Sequence, residues 1–103
     1  MSAPDGSHFR VAVSQHVLQN LKNLHLRAKQ KGWDANFLTA LKRIDRSLRE
    51  HPDQFGEPQY ALRHLNLEVR LAVQSPLVVV FAVHTQKPIV VVRQFLLLPG
   101  SAG

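Results

Sequence analysis

A chain of 103 residues, 45% hydrophobic and 19% charged, suits one hydrophobic core and has no room for separate cofactor and substrate domains. Cysteine is absent, which excludes a disulfide scaffold, thiol catalysis and cysteine-ligated zinc. Thirteen Lys and Arg against seven Asp and Glu leave a formal charge of +6, which suits a polyanionic partner, either nucleic acid or an acidic protein segment.

The longest apolar runs, 77–83 and 89–92, fall far short of the ~20 residues that span a bilayer. Residues 1–8 carry neither the positive region nor the apolar region of a signal peptide, so a cytoplasmic protein without membrane contact is expected. Residues 1–7 are small and polar and are expected to be disordered, ahead of a single domain over residues 8–98. Phe9, Val11 and Val13 alternate with Arg10 and Ala12, which predicts a short first strand. Ser14 is placed to cap a helix. Val17, Leu18, Leu21, Leu24 and Ala28 then recur at helical spacing. Arg27, Lys29 and Lys31 suit the negative end of that helix, and Gly32 closes it.

Asp34 is expected to cap a second helix, whose buried stripe is Phe37, Leu38, Leu41, Ile44 and Leu48. His51-Pro52 stops it, because a residue before proline avoids the helical region. With only Gly32 and Trp33 between them, the helices should form an antiparallel hairpin. Residues 53–59 read as a loop from their Gly and Pro.

The second half reads as strand. From 65 to 73 the odd positions are Leu65, Leu67, Val69, Leu71 and Val73, and the even ones Asn66, Glu68, Arg70 and Ala72. That period of two predicts a buried odd face and an open even face. Ser75-Pro76 turns the chain into a strand at 77–84, apolar on both faces. After a turn at 85–88, a last strand runs over 89–98, with a flexible tail at 99–103. The fold expected is α+β: a strand, a two-helix hairpin, then a three-stranded antiparallel meander.

Two helices cover one face of such a sheet. The third strand puts Leu77, Val79, Phe81 and Val83 on one side and Val78, Val80 and Ala82 on the other. The fourth splits Ile89, Val91, Phe95 and Leu97 from Val90, Val92, Leu96 and Leu98. No third helix remains for the second apolar face, and contiguous apolar surface of that size is usually an interface. A protein partner or a homodimer is therefore expected to bury Val78, Val80, Val91, Phe95 and Leu97, unless strong sheet curvature hides them.

In the order of its elements the chain resembles the RelE/ParE superfamily of type II toxin–antitoxin toxins. Further carriers are the Gly56-Glu57-Pro58 loop leading to Tyr60, the stretch Leu67-Glu68-Val69-Arg70-Leu71-Ala72-Val73, and the valine-rich strands at 77–83 and 89–92. The likeness spans residues 9–98. It implies a small basic toxin that either cleaves mRNA on the ribosome or poisons DNA gyrase, silenced by an acidic antitoxin that wraps over it. In the ribonuclease branch, basic residues on the open sheet face hold the scissile phosphate. Arg70 matches the one on the second strand. The Tyr-Arg that begins the next strand of that branch is replaced here by Leu77-Val78, and the chain ends Leu96-Leu97-Leu98-Pro99 where further basic, Tyr or His residues are expected. The resemblance therefore implies a toxin-type domain in which catalysis is degenerate. The alternative is a non-enzymatic interaction or dimerisation domain of the same fold.

Arg63, Arg70, Lys87 and Arg93 form the candidate nucleic-acid patch on the sheet. Lys42, Arg46 and Arg49 share one face of the second helix and read as its solvated side. The histidines, His8, His16, His25, His51, His64 and His84, show no metal-ligand spacing. His64 and His84 are the two that could stand near Arg70. No phosphate-binding glycine motif is present, and no cofactor is expected.

Overall fold

The computed structural model describes residues 8–99; the disorder expected at 1–7 and all of the expected tail except Pro99 lie outside them. The order of elements is β1 (Arg10–Val13), α1 (Gln15–Gln30), α2 (Asp34–Glu50), β2 (Glu57–Leu62), a 3-10 turn (Arg63–Leu65), β3 (Leu67–Gln74), β4 (Leu77–His84) and β5 (Ile89–Leu97). The five strands form one mixed sheet in the order β1-β5-β4-β3-β2. β1 runs parallel to β5, and β2 to β5 form an antiparallel meander.

The α+β class and the helix hairpin agree with the sequence reading, but the meander has four strands, because β2 begins inside the segment read as a loop. The reason is visible in its residues. Glu57-Pro58-Gln59-Tyr60-Ala61-Leu62 shows no alternation, a bulge interrupts its pairing at Gln59, and Pro58 cannot donate to a ladder. Proline is tolerated on an edge strand, which is where β2 lies.

Ser14 caps α1: its Oγ accepts a hydrogen bond from the backbone N–H of Val17 at 3.2 Å. Asp34 does not cap α2. It is the first helical residue, after Trp33. Its carboxylate is engaged elsewhere, 2.5 Å from Nε2 of His25 on α1, and His25 stacks on Phe37 with ring centroids 4.8 Å apart. The carboxylate still sits in the first turn of α2, where the helix dipole favours negative charge. One side chain thus ties the two helices together across their connection.

Both helices lie on one face of the sheet, α1 over β5 and α2 over β1, β3 and β4. The core between them takes Val17, Leu24, Ala28, Phe37, Ala40, Ile44 and Leu48 from the helices and Ala72, Leu77, Val79, Phe81, Val83, Val90, Val92 and Phe95 from the sheet. The last strand keeps two buried registers because it carries a bulge. Val80 pairs with Gln94 while Phe81 pairs with Val92, so Arg93 is the extra residue. The bulge reverses the alternation: Val90 and Val92 face the helices before it, Phe95 and Leu97 after it.

The bulge leaves a backbone donor to satisfy, and Asn20 of α1 does so: its Oδ1 accepts from the N–H of Phe95 at 3.1 Å. Asn20→Ala removes the acceptor of that part-buried group. A loss of about 1–3 kcal/mol is expected, read as a lower midpoint in urea unfolding.

A candidate protein-binding face and the Arg70 clamp

The register of the sheet decides which side chains share its second face. Directly paired residues point the same way, so the face opposite the helices is built in four cross-strand rows. The first row is Val73, Val78 and Leu96. The second is Glu57, Leu71, Val80 and Gln94. Tyr60, Val69, Ala82, Val91 and Ala12 make the third. The fourth, at the far end, holds Leu62, Leu67 and His84, with Ile89 and Arg10 continuing it.

Neither helix lies over these rows. Val73 is 58% exposed, Tyr60 53%, Leu96 41% and Val91 38%. Val69, Ala82 and Val78 are buried all the same, so part of this face is covered within the chain itself. Charge gathers at one end. Arg10 starts β1, Arg63 and His64 form the 3-10 turn, His84 ends β4 and Lys87 lies in the turn before β5. His84 is fixed there: its Nδ1 accepts from the backbone N–H groups of Gln86 and Lys87 at 3.1 and 3.0 Å.

Of the residues expected to meet a partner, Val78, Val80 and Val91 lie on this face. Phe95 and Leu97 do not. The bulge at Arg93 turns them under the helices, and Phe95 is part of the core. Tyr60, Leu71, Val73 and Leu96 belong to the face and were missed.

The candidate nucleic-acid residues are not brought together. Arg63 and Lys87 flank the charged end, while Arg93 stands at the bulge, near the start of α1. Arg70 is the clear correction, because it is not on the open face. It pairs with Phe81, on the helix side, and is 7% exposed. Its Nε donates to the carbonyl of Phe55 at 2.9 Å, Nη2 to the carbonyl of Gly56 at 3.0 Å, and Nη1 to Oε1 of Glu68 at 2.7 Å. The ring of Phe55 stacks on Phe81 at 5.7 Å beside it. The guanidinium is therefore spent on holding the 55–56 loop against the sheet, and no phosphate can reach it while that loop is in place.

The alternation over 65–73 forms a strand only from Leu67, since Leu65 ends the 3-10 turn and Asn66 is left-handed, and the strand faces the opposite way to the one expected. The helices cover Glu68, Arg70 and Ala72, and the apolar odd positions face outward. Among the described residues no group of three or more His, Asp or Glu side chains is placed to hold a metal ion, and no helix is long and apolar enough to cross a membrane. No protein-family model, curated protein or solved structure matches the chain.

Proposed function

We propose that this chain is a protein-binding domain, the toxin-type component of a RelE/ParE-like type II module, without ribonuclease activity. The observation that carries the reading is the four-row apolar sheet face, bare of helices and bordered at one end by Arg10, Arg63, His64, His84 and Lys87. An acidic amphipathic segment, as an antitoxin would supply, fits both features. Its apolar side chains cover the rows, and its carboxylates meet the basic end of a chain carrying +6. The non-nucleolytic part rests on Arg70. The one basic side chain matching the ribonuclease pattern is tied into the 55–56 loop, and Val78 offers no donor in the next strand.

The test is growth on induction. The chain alone is expected to arrest a bacterial host, and co-expression of a short acidic protein from an adjoining reading frame to restore growth. Calorimetry should show that product binding, more weakly as salt rises. Primer extension on ribosome-bound mRNA is expected to show no specific cleavage. Harmless expression together with no binding of the acidic product overturns the reading; efficient cleavage at defined sites overturns its non-nucleolytic part.

A further inference from the structure

We propose that the free edge of β1 takes up an extended acidic segment of a partner protein as a further strand of the sheet. This is a second contact, at the edge of the sheet and not on its open face, and no part of it rests on the toxin reading.

The two edges of the sheet differ in how they are guarded. β2 carries Pro58, a bulge at Gln59 and exposed polar side chains, features by which edge strands avoid further pairing. β1 is Arg10-Val11-Ala12-Val13, without proline and regular along its whole pairing with β5. Its backbone groups alternate in direction. The N–H of Arg10 points into the sheet and donates to the carbonyl of Pro88 at 2.8 Å. The N–H of Phe9 points outward and donates to the carbonyl of Arg49 at 2.7 Å, where α2 ends. Val11 and Val13 follow Phe9 in that alternation, so their N–H groups also point outward. Among the described residues nothing accepts from them.

Each side of this edge is hollow. On the helix side Val11 and Val13 pair with the buried Val90 and Val92, and they border an apolar groove with Leu18, Leu21 and Leu41. Its volume is about 570 Å³. Ala12 points the other way, and with Val91 and Arg93 it borders a second hollow of about 510 Å³. A strand laid along β1 sends alternate side chains to the two sides. In the antiparallel direction one residue meets both outward groups of Val11, and its own side chain enters the groove. Every second residue of the segment is therefore apolar.

Charge sets the intervening positions. Lys42 and Arg46 stand at the groove, Arg10 on β1 itself and Arg93 just past its pairing with β5. Asp45, the carboxylate in the groove's lining, is engaged by Nε of Arg49 at 3.0 and 3.1 Å. Glu or Asp at the intervening positions complements the four cations. A second copy paired through the same edge would instead set those cations against their own duplicates. Main-chain pairing supplies the affinity, and the groove and the cations supply the selection.

The probe is an end-blocked peptide of about seven residues, alternating valine and glutamate, titrated into the isotope-labelled full chain and followed by amide NMR. The amides of Val11 and Val13 are expected to shift, and their hydrogen exchange to slow at least about tenfold at saturation. Affinity should fall roughly three- to tenfold between about 50 and 500 mM NaCl. A copy methylated at its backbone nitrogens should not bind. Val11→Pro removes an outward donor without touching the ladder to β5, so it should keep its circular dichroism and bind at least about tenfold more weakly. Lys42→Glu combined with Arg46→Glu, at exposed helix positions, should weaken binding by a similar factor.

No shift at Val11 and Val13 up to about 5 mM peptide overturns the proposal, as does equal binding of the methylated copy or by both variants. Protection of these two amides in the concentrated free chain, lost on dilution, puts a second copy on the edge and also overturns it. Shifts confined to Tyr60, Val73 and Leu96 put the peptide on the open face, which removes the added strand and leaves the proposed function standing.

Discussion

Arg70→Ala is expected to cost about 3 kcal/mol of stability, and to do so without any nucleic acid present. This guanidinium donates three hydrogen bonds, two of them to the carbonyls of Phe55 and Gly56, and the side chain is 8% exposed. Removing it leaves both carbonyls without their donor in a part-buried setting. The Glu68 pair contributes less, since that carboxylate is 40% exposed and water can replace the lost partner. In a domain of this size, a loss of that order lowers the thermal midpoint by roughly 15 °C.

Arg70→Lys should recover little. A single ammonium on a flexible stem cannot reproduce the planar fork that reaches two carbonyls and a carboxylate at once. Differential scanning calorimetry of the three proteins measures this directly. If Arg70→Ala melts with the wild type and instead loses affinity for RNA, then the loop moves aside in solution and the phosphate-binding role implied by the family resemblance is restored.

The Arg70 result also shows where sequence reasoning stopped. Periodicity located both helices and β3 to β5, because an apolar stripe needs no partner to be seen. It puts the wrong side of β3 against the helices, because Glu68 and Arg70 mark the even positions as the polar, open side, whereas Arg70 and Ala72 are buried under the helices. The hairpin register held the answer. Gln74 pairs with Leu77 across Ser75-Pro76, and counting back puts Arg70 opposite Phe81 and Ala72 opposite Val79. The bulkier row of β4, with Leu77, Val79, Phe81 and Val83, takes the helix side and carries Arg70 with it. The price is a buried guanidinium, which the 55–56 carbonyls and Glu68 offset. Two other features were not legible by periodicity. A bulge at Arg93 is a one-residue event with no glycine to mark it, and it moved Phe95 and Leu97 from the partner face to the core. β2 is an edge strand whose proline and polar residues read as a loop. Of the candidate site, the existence of an uncovered apolar face and three of its members, Val78, Val80 and Val91, came from the sequence. Its other members needed the register.

Gly56→Ala is expected to be at least as damaging as Arg70→Ala, and for a connected reason. Gly56 has φ +72°, in the left-handed region, and a Cβ there would stand 2.4 Å from the carbonyl oxygen of Leu71 and 2.8 Å from Cβ of Ala72. Those neighbours belong to β3, in the middle of the sheet pairing, and cannot give way. The loop must lift instead, and lifting it pulls the Gly56 carbonyl from Nη2 of Arg70 and strains the neighbouring bond to Phe55. Gly32 is the internal control. Its φ is +78°, but nothing lies within 4 Å of a Cβ built on it. Gly32→Ala therefore carries only the conformational penalty, about 1 kcal/mol, while Gly56→Ala adds the collision and the lost clamp, for about 3 kcal/mol or more. Urea unfolding of both variants separates the two contributions. The double variant Gly56→Ala with Arg70→Ala should then fall well short of the sum of the single losses, because each change releases the same loop. Equal costs at Gly32 and Gly56, or full additivity in the double variant, would show that the 55–56 loop is not held against β3 by this arginine.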